Sequence, residues 1–304
     1  STLPCIEVTS MSLYVRFLFR WSAIIGLLSG ALFLGGCSAV RLGYNNAPDL
    51  AYWWLDSYMD FDSPQSVRLR ADLQVLQDWH RKEELPQYAD LIKSLQPLVN
   101  KQVSPEQVCA LYTTIETRLL ASAERMLPTA AALAPGLAPA QLEHMQKTWD
   151  KHNQEWREDW LDGTPAERAR VRMKKLLDRA ESFYGRLSDV QLSRLSALLD
   201  ASPFDAATQY RDRLLRQQDT LQTLRGLKGA GTTEAQAQTE LRALLNRSVH
   251  SAVPAQKHYQ DRMRQHTCSL VATLHNSATP AQRSKLAQTL NNYEGDARAL
   301  MAAR

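Results

Sequence analysis

Residues 187–199, LSDVQLSRLSALL, show how this chain folds. Ser188 and Gln191 stand three positions apart, the spacing of a capping box, in which each side chain bonds the other residue's backbone at the start of a helix. Beyond the box, leucines recur at the spacing of one helical face: Leu192, Leu195, Leu198 and Leu199. The stretch therefore predicts an amphipathic helix that begins near residue 189.

Similar start signals recur along the chain. A proline suits the first helical position, where its missing N–H would have no helical partner, and a preceding hydroxyl can bond a free amide of the first turn. Five pairs have this form: Ser63-Pro64, Ser104-Pro105, Thr164-Pro165, Ser202-Pro203 and Thr279-Pro280. Three of them also complete a capping box, through Gln107, Glu167 and Gln282. Ala138-Pro139 and Val253-Pro254 are weaker starts of the same kind.

These signals predict an all-α fold, an elongated bundle or array of about ten amphipathic helices. Only two isoleucines follow the N-terminal region, and period-two alternation is absent, so strands are not expected. We predict helices near the following residues: 49–60, 64–82, 86–99, 105–127, 139–162, 165–186, 189–200, 203–227, 234–250, 254–277 and 280–302.

The composition excludes several classes of protein. With 44% hydrophobic and 22% charged residues, the chain is neither disordered nor a collagen-like repeat, and its 304 residues can bury a large core. A net charge of +4 is too small for a nucleic-acid footprint, so no nucleic-acid partner is expected.

The N-terminal region carries a targeting signal. Arg16 and Arg20 precede an uncharged run from Trp21 to Val40, which contains Leu34-Gly35-Gly36-Cys37. Basic residues, an apolar stretch and small residues before a cleavage point follow in the order of a secretory signal. The segment resembles a bacterial lipoprotein signal peptide, and its last four residues match the lipobox of that family.

This resemblance implies that the chain is cut after Gly36 and that Cys37 is acylated. Ser38 after the cysteine implies the periplasmic face of the outer membrane, and Met11 already begins a complete signal. The alternative is an uncleaved transmembrane anchor, because about twenty uncharged residues can span a bilayer. Several glycines and serines make the run a mediocre anchor.

The expected organisation follows from these signals. We predict a signal peptide over residues 1–36, a lipid-anchored segment with an aromatic cluster over 37–62, and a helical domain over 63–304. Breaks around residues 134–136 and 226–233 leave a boundary between two subdomains near 135 or 230 as the alternative to a single domain.

Six aromatic residues lie close to the predicted anchor: Tyr44, Tyr52, Trp53, Trp54, Tyr58 and Phe61. One interpretation is an interfacial belt or a partner-binding patch beside the membrane. The other, which we favour, is an amphipathic helix whose rings pack under its neighbours.

Three histidines lie on apolar stripes: His80, His152 and His266. Glu83 and Glu155 follow the first two by three residues. Imidazole and carboxylate groups on facing helices can bind a metal ion, but di-iron bundles use the reverse order and further inward glutamates, which this sequence lacks. We interpret the three as hydrogen-bonded core histidines and expect no metal and no cofactor. No catalytic motif is present either.

Two cysteines follow the predicted anchor, Cys109 and Cys268. An oxidising compartment permits a disulfide between their helices, and closing so long a loop would stabilise the fold by several kcal/mol. Two buried free thiols fit the sequence almost as well.

Two segments resemble a family of uncharacterised proteobacterial lipoproteins with a single mature domain of unknown function. They run from Tyr44-Asn45-Asn46 to Tyr58-Met59-Asp60, and from Trp79 to Tyr88 (WHRKEELPQY). The family implies no catalytic residues.

A looser resemblance is to periplasmic stress chaperones with Leu-Thr-x-x-Gln motifs. Leu187 to Gln191 fits if Ser replaces Thr, and three other helix starts depart from the motif at one position: Val103 to Gln107, Leu137 to Gln141 and Thr279 to Gln282. Capping boxes alone also generate this spacing.

We therefore expect a non-catalytic, outer-membrane lipoprotein that faces the periplasm and acts by contact with an envelope protein. One alternative is a chaperone-like binder of unfolded chains, which should expose a concave apolar surface. Another is an envelope hydrolase, which would need a cleft that holds His152 and Glu155.

Overall fold

The computed structural model describes residues 37–228, 231–251 and 253–302. These residues form helices joined by short connections, and no strand occurs among them, so the predicted all-α class is confirmed. The predicted signal peptide, with its cleavage site at Gly36, lies outside the described residues. Within the described residues, no helix is both long enough and apolar enough to cross a membrane.

The α-helices have the following bounds: α1 Cys37–Asn45, α2 Ala47–Met59, α3 Ser63–Trp79, α4 Leu85–Leu95, α5 Pro105–Leu133, α6 Pro139–Trp160, α7 Pro165–Tyr184, α8 Asp189–Asp200, α9 Ala206–Gly226, α10 Glu234–Val249, α11 Pro254–Asn276 and α12 Pro280–Ala302. A π-helical turn, His80–Glu84, joins α3 to α4. Short 3₁₀ turns follow α4 and α5, at Gln96–Leu98 and Ala134–Gly136.

Several predicted helix boundaries differ from the observed ones, and two of these differences have a clear local cause. The fifth helix does not end at residue 127 but continues through Pro128 to Leu133, because the residues around the proline are buried in the core. The helix predicted from residue 203 begins at Ala206 instead. There the carboxylate of Asp205 caps the helix and accepts a hydrogen bond of 2.7 Å from the Thr208 amide.

The described residues from Ala47 onward belong to one compact unit, and α1 belongs to another. Within the unit that begins at Ala47, α2 packs against α3, because Tyr52 is buried with Leu69 and Leu73. Neither 135 nor 230 separates two cores.

One apolar cluster crosses both of those positions. It joins residues of α5, α6, α9 and α10 with the connection between α5 and α6: Leu127, Ala131, Ala134, Leu137, Leu142, Met145, Leu221, Leu224, Leu227, Ala237, Leu241 and Leu244. A second cluster joins α7, α8 and α11 around Leu195.

Two helix starts meet in a reciprocal pair of buried glutamines. The Gln141 amide of α6 donates to Gln65 Oε1 of α3 at 2.8 Å, and the Gln65 amide donates to Gln141 Oε1 at 3.4 Å. Each amide also donates to a backbone carbonyl. The Gln141 amide donates to the Asp60 carbonyl, just before α3, at 2.9 Å, and the Gln65 amide donates to the Gly136 carbonyl, just before α6, at 3.4 Å.

The same arrangement occurs a second time, between α8 and α12. Gln191 and Gln282 exchange amide hydrogen bonds of 2.9 and 3.0 Å. Gln191 also donates to the Ser277 carbonyl, and Gln282 to the Arg186 carbonyl. We call each arrangement a glutamine clasp, after its paired residues Gln65–Gln141 and Gln191–Gln282.

Three of the clasp glutamines, Gln65, Gln191 and Gln282, also complete a capping box, whereas Gln141 follows Ala138, which has no side-chain acceptor. Each Oε1 accepts the backbone N–H of its own helix cap, at 2.8–3.1 Å. One side chain thus satisfies a free amide at its own helix start and fixes a second helix start beside it. Because a buried amide is costly when unpaired, the clasp specifies which helices adjoin.

A disulfide also connects distant parts of the chain. Cys109 of α5 and Cys268 of α11 are bonded, with their Cα atoms 5.4 Å apart, although the two residues are 159 positions apart in sequence. Of the two states that the sequence left open, the structure has the bonded one.

Replacing a clasp glutamine should destabilise the fold more than replacing a glutamine that only caps. We expect Gln141→Ala to lower the free energy of unfolding by about 2–4 kcal/mol, because it leaves the buried Gln65 amide without its partner. The matched control is Gln107→Ala. Gln107 completes a capping box on α5 but is exposed, and its loss should cost less than about 1 kcal/mol. Urea unfolding measures both changes, and equal losses would contradict the clasp.

Candidate ligand cavity

The largest described cavity lies among α2, α3, α5, α6, α9 and α10. Its volume is about 870 Å³. Most of its wall is apolar and includes the following side chains: Leu69, Leu73, Met126, Leu133, Met145 and Leu224. This volume lies in the range typical of small-molecule sites, roughly 300–1,000 Å³.

Aromatic residues of α2 and α6 form one border of the cavity. Trp54 and Tyr58 lie one turn apart, with ring centroids 5.2 Å from each other. The Tyr58 hydroxyl lies 2.9 Å from Nδ1 of His152, which holds α2 against α6. Trp149 of α6 also lines the cavity.

Polar groups occur mainly on α9. Arg213 and Gln217 line the cavity and both bond the buried Asn153 of α6. The Arg213 Nε donates to Asn153 Oδ1 at 2.6 Å, and Asn153 and Gln217 exchange amide hydrogen bonds of 2.8 and 3.0 Å. Among the described residues, no carboxylate forms an ion pair with Arg213. The cavity thus holds a half-buried cation whose partner is a neutral amide.

The aromatic cluster near the predicted anchor divides into two groups. Tyr52 is buried, and Tyr58 and Phe61 pack half-buried against the core, as the favoured interpretation expected. Trp53 and Trp54, however, are 59% and 62% exposed.

The two exposed tryptophans lie with Leu50, also exposed, at the i, i+3, i+4 spacing of one helical face. We call these three residues the α2 patch. An exposed apolar patch of this kind is typical of contact surfaces.

The first predicted His-Glu pair is shifted by one residue. In the π-helical turn, Glu84 is buried and Glu83 is exposed, because the wider turn brings residue 84 instead of 83 under His80. Arg118 of α5 lies 3.6 Å from Glu84 Oε1, whereas Glu84 Oε2 has no hydrogen-bond partner among the described residues. The His80 ring stacks on Tyr88 at 5.8 Å.

The electrostatics of this turn follow from burial. Burial lowers the pKa of His80, and the nearby Glu84 only partly opposes it. Burial, and then Glu84, raise the pKa of the Tyr88 hydroxyl. Because the Arg118–Glu84 contact and the stacking of His80 on Tyr88 connect the turn to its neighbours, we interpret the turn as a structural join between α3, α4 and α5.

The second predicted pair does not come together. His152 bonds Tyr58, while Glu155 is exposed to solvent. His266 is half-buried, and its Nε2 atom has no hydrogen-bond partner among the described residues, unlike the core histidine expected there. Within the described ranges, no three His, Cys, Asp or Glu side chains are placed to hold a metal ion.

His275, for which the sequence predicted no role, is more buried than His80, His152 and His266. The Tyr184 hydroxyl lies 3.0 Å from its Nδ1, and its Nε2 lies 3.0 Å from the Lys101 carbonyl. Burial is the main reason why the pKa of His275 is lowered. The hydrogen bond with the Lys101 carbonyl raises this pKa, and the positive charge of Arg283 lowers it further. Burial also raises the pKa of Tyr184 to about 12, which keeps its hydroxyl protonated.

Comparison with known proteins gives one match. The model of a family of unknown function, DUF6279, matches residues 57–248. That region contains every residue named above for the cavity except Trp54. No curated protein and no solved structure matches the chain significantly.

Acid should destabilise the fold through His80 and His275. Both have a folded pKa below the ordinary value of 6.5, so above that pH they are neutral in the folded and unfolded chains alike. As the pH falls below 6.5, the unfolded chain binds protons that the folded chain does not, and stability is lost. We expect the urea midpoint to fall between pH 7.5 and pH 5.5.

His275→Gln should reduce this difference between the two midpoints, whatever its own cost in stability. The control is His258→Gln, at an exposed position of α11, which should leave the difference unchanged. Midpoints that stay constant with pH in the unaltered chain would contradict the assignment.

Proposed function

Since the chain belongs to this family of unknown function, we propose its function from its own cavity: it is a non-catalytic protein that binds an apolar ligand. The observation that carries the proposal is a cavity of about 870 Å³ with a mostly apolar wall among six helices. Transfer of apolar surface from water into such a site contributes roughly 25 cal/mol per Å². A ligand with one long apolar chain would suit it.

The wall of the cavity favours binding over chemistry. Apart from its aromatic residues, its polar members are Thr129, Arg213, Arg216, Gln217 and Thr220, which include no carboxylate and no imidazole. General acid–base catalysis needs such groups within hydrogen-bond reach of a bound substrate. The histidine nearest the cavity border, His152, is bonded to Tyr58 and separated from the carboxylate predicted to assist it.

We also propose that the chain is a lipoprotein, held through Cys37 on the periplasmic face of the outer membrane. Support comes from the basic residues, the uncharged run and the lipobox of the sequence. Two or more acyl chains give stable anchoring, since each buried methylene contributes about 0.8 kcal/mol. The Cys109–Cys268 disulfide suits an oxidising compartment such as the periplasm.

An envelope protein that docks on the α2 patch is the second candidate. Leu50, Trp53 and Trp54 are exposed, and aromatic residues are enriched in protein interfaces.

A chaperone-like role would use the concave apolar cavity itself. The cavity volume of about 870 Å³ lies in the range of small-molecule sites and therefore favours a small ligand.

The cavity should bind a neutral apolar dye, and filling the cavity should prevent it. We use N-phenyl-1-naphthylamine with the full chain carrying Cys37→Ser in detergent-free solution. Ala130→Trp places an indole in the cavity and should weaken dye binding by at least about tenfold, which corresponds to roughly 1.4 kcal/mol. The matched control is Ala197→Trp on the exposed face of α8, which should bind dye normally.

Overpacking at residue 130 can itself destabilise the fold. Circular dichroism therefore checks each variant, and Ala123→Trp, at a second position of the cavity wall, repeats the test. Unchanged dye binding by both folded variants would contradict a ligand site in the cavity. Loss of binding in Trp53→Ala alone would favour the α2 patch.

Acylation at Cys37 has a direct test in cells. We expect radiolabelled palmitate to enter the unaltered chain and to be absent from Cys37→Ser. Cys109→Ser is the control, because that cysteine is expected to carry no lipid. Label retained by Cys37→Ser would contradict the anchor.

A further inference from the structure

A second cavity adjoins the first along α9. It has a volume of about 650 Å³ and lies between α9 and the region where α10 is followed by α11. Arg216 lines both cavities, so this one side chain stands between the apolar cavity and its neighbour. The neighbouring cavity differs in chemistry, because charged side chains contribute much of its wall.

Cations outnumber anions in this second cavity. Four arginines and two aspartates line it: Arg211, Arg216, Arg247, Arg262, Asp212 and Asp219. Both aspartates already have partners. Asp212 forms an ion pair with Arg216, and Asp219 receives two hydrogen bonds from Arg247, at 2.9 and 3.0 Å.

Two guanidinium groups, those of Arg211 and Arg262, form no ion pair with a carboxylate among the described residues, although Arg211 lies near enough to the Asp205 carboxylate to help lower its pKa. Arg211 has one hydrogen bond, to the Thr208 hydroxyl at 3.4 Å, and Arg262 forms no ion pair within the described ranges. Arg213, in the apolar cavity, has the neutral Asn153 as its partner. The second cavity therefore carries more positive than negative charge, while the wall of the first is mostly apolar.

We propose that the ligand is an anionic phospholipid, an inference that rests on the proposed function of the apolar cavity. An acyl chain occupies the apolar cavity, and the phosphate lies in the second cavity against Arg211 and Arg262. Guanidinium groups suit this role, because their planar donors match phosphate oxygens in paired hydrogen bonds. Arg216 lies where chain and headgroup join.

Charge complementarity distinguishes this ligand from other apolar occupants. A neutral lipid or an apolar peptide would fill the first cavity but would leave the arginines of the second without a partner. An anionic headgroup compensates them, and the acyl chain accounts for the apolar wall. The two cavities therefore fit two parts of one amphipathic molecule.

Lipid extraction from vesicles tests the proposal. The full chain carrying Cys37→Ser is incubated with vesicles that contain pyrene-labelled phosphatidylglycerol or pyrene-labelled phosphatidylcholine. The vesicles are then sedimented, and the lipid that remains with the chain is measured. We expect about tenfold more of the anionic lipid, corresponding to roughly 1.4 kcal/mol. Arg211→Gln with Arg262→Gln should abolish the preference while leaving naphthylamine binding intact.

The matched control is Arg170→Gln with Arg194→Gln, two exposed arginines on α7 and α8, which should keep the preference. Ala130→Trp should prevent extraction of both lipids. If the anionic lipid is still retained by Ala130→Trp, it adsorbs to the surface, and the proposal is wrong. Both lipids carry a phosphate, but only phosphatidylglycerol has a net negative charge. Equal extraction of both lipids, with dye binding intact, would therefore overturn the anionic ligand alone. Failure of dye binding would instead overturn the proposed function.

Discussion

The arrangement of the helices depends on the glutamine clasps. A glutamine at the third position of a helix satisfies a free amide of its own cap and also pairs with the corresponding glutamine of another helix. The Gln65–Gln141 clasp also bonds the carbonyls of Asp60 and Gly136, in the connections before α3 and α6. It therefore fixes α2, α3, α5 and α6 together, and these four helices form most of the wall of the apolar cavity. The cost of an unpaired buried amide, about 1–3 kcal/mol, makes other arrangements unfavourable.

The second clasp and the disulfide hold the parts of the chain that the first does not reach. Gln191 and Gln282 join α8 to α12. Cys109 and Cys268 join α5 to α11. The clasps also give a structural role to the spacing that resembles the chaperone motif, since Leu137 to Gln141 and Leu187 to Gln191 each place a buried leucine and a buried glutamine at one helix start.

Helix starts could be predicted because capping depends on local sequence, and the helix from Asp189 to Asp200 was predicted to the residue. The pairing of the starts could not, because Gln107 and Gln236 have the same local pattern as the clasp glutamines and yet are exposed. Only the burial given by the complete fold separates the two kinds. The π-helical turn was not predicted, for a related reason. It buries Glu84 in place of Glu83, and the buried carboxylate faces Arg118, which lies far away in the sequence.

The candidate site was the least predictable part. Its apolar wall uses leucines and methionines that look in sequence like ordinary core residues, and Arg213 looks like a solvated cation. The aromatic cluster gave a partial signal, since Trp54 and Tyr58 border the cavity while Trp53 faces solvent. Conversely, Tyr112 and Leu119, on an apolar stripe of α5, are exposed. Periodicity finds apolar faces, but which faces are covered depends on tertiary packing.

The central claim is that an acyl chain lies within the cavity of this helical fold. The most direct measurement is methyl NMR of the isotope-labelled chain with a phosphatidylglycerol that carries a nitroxide near the end of one acyl chain. We predict that the nitroxide broadens the methyl signals of Leu69, Leu133 and Leu224, in the cavity wall, and spares Leu195 in the core of α7, α8 and α11. Broadening confined to Leu50, at the α2 patch, with the cavity signals unchanged, would contradict the account.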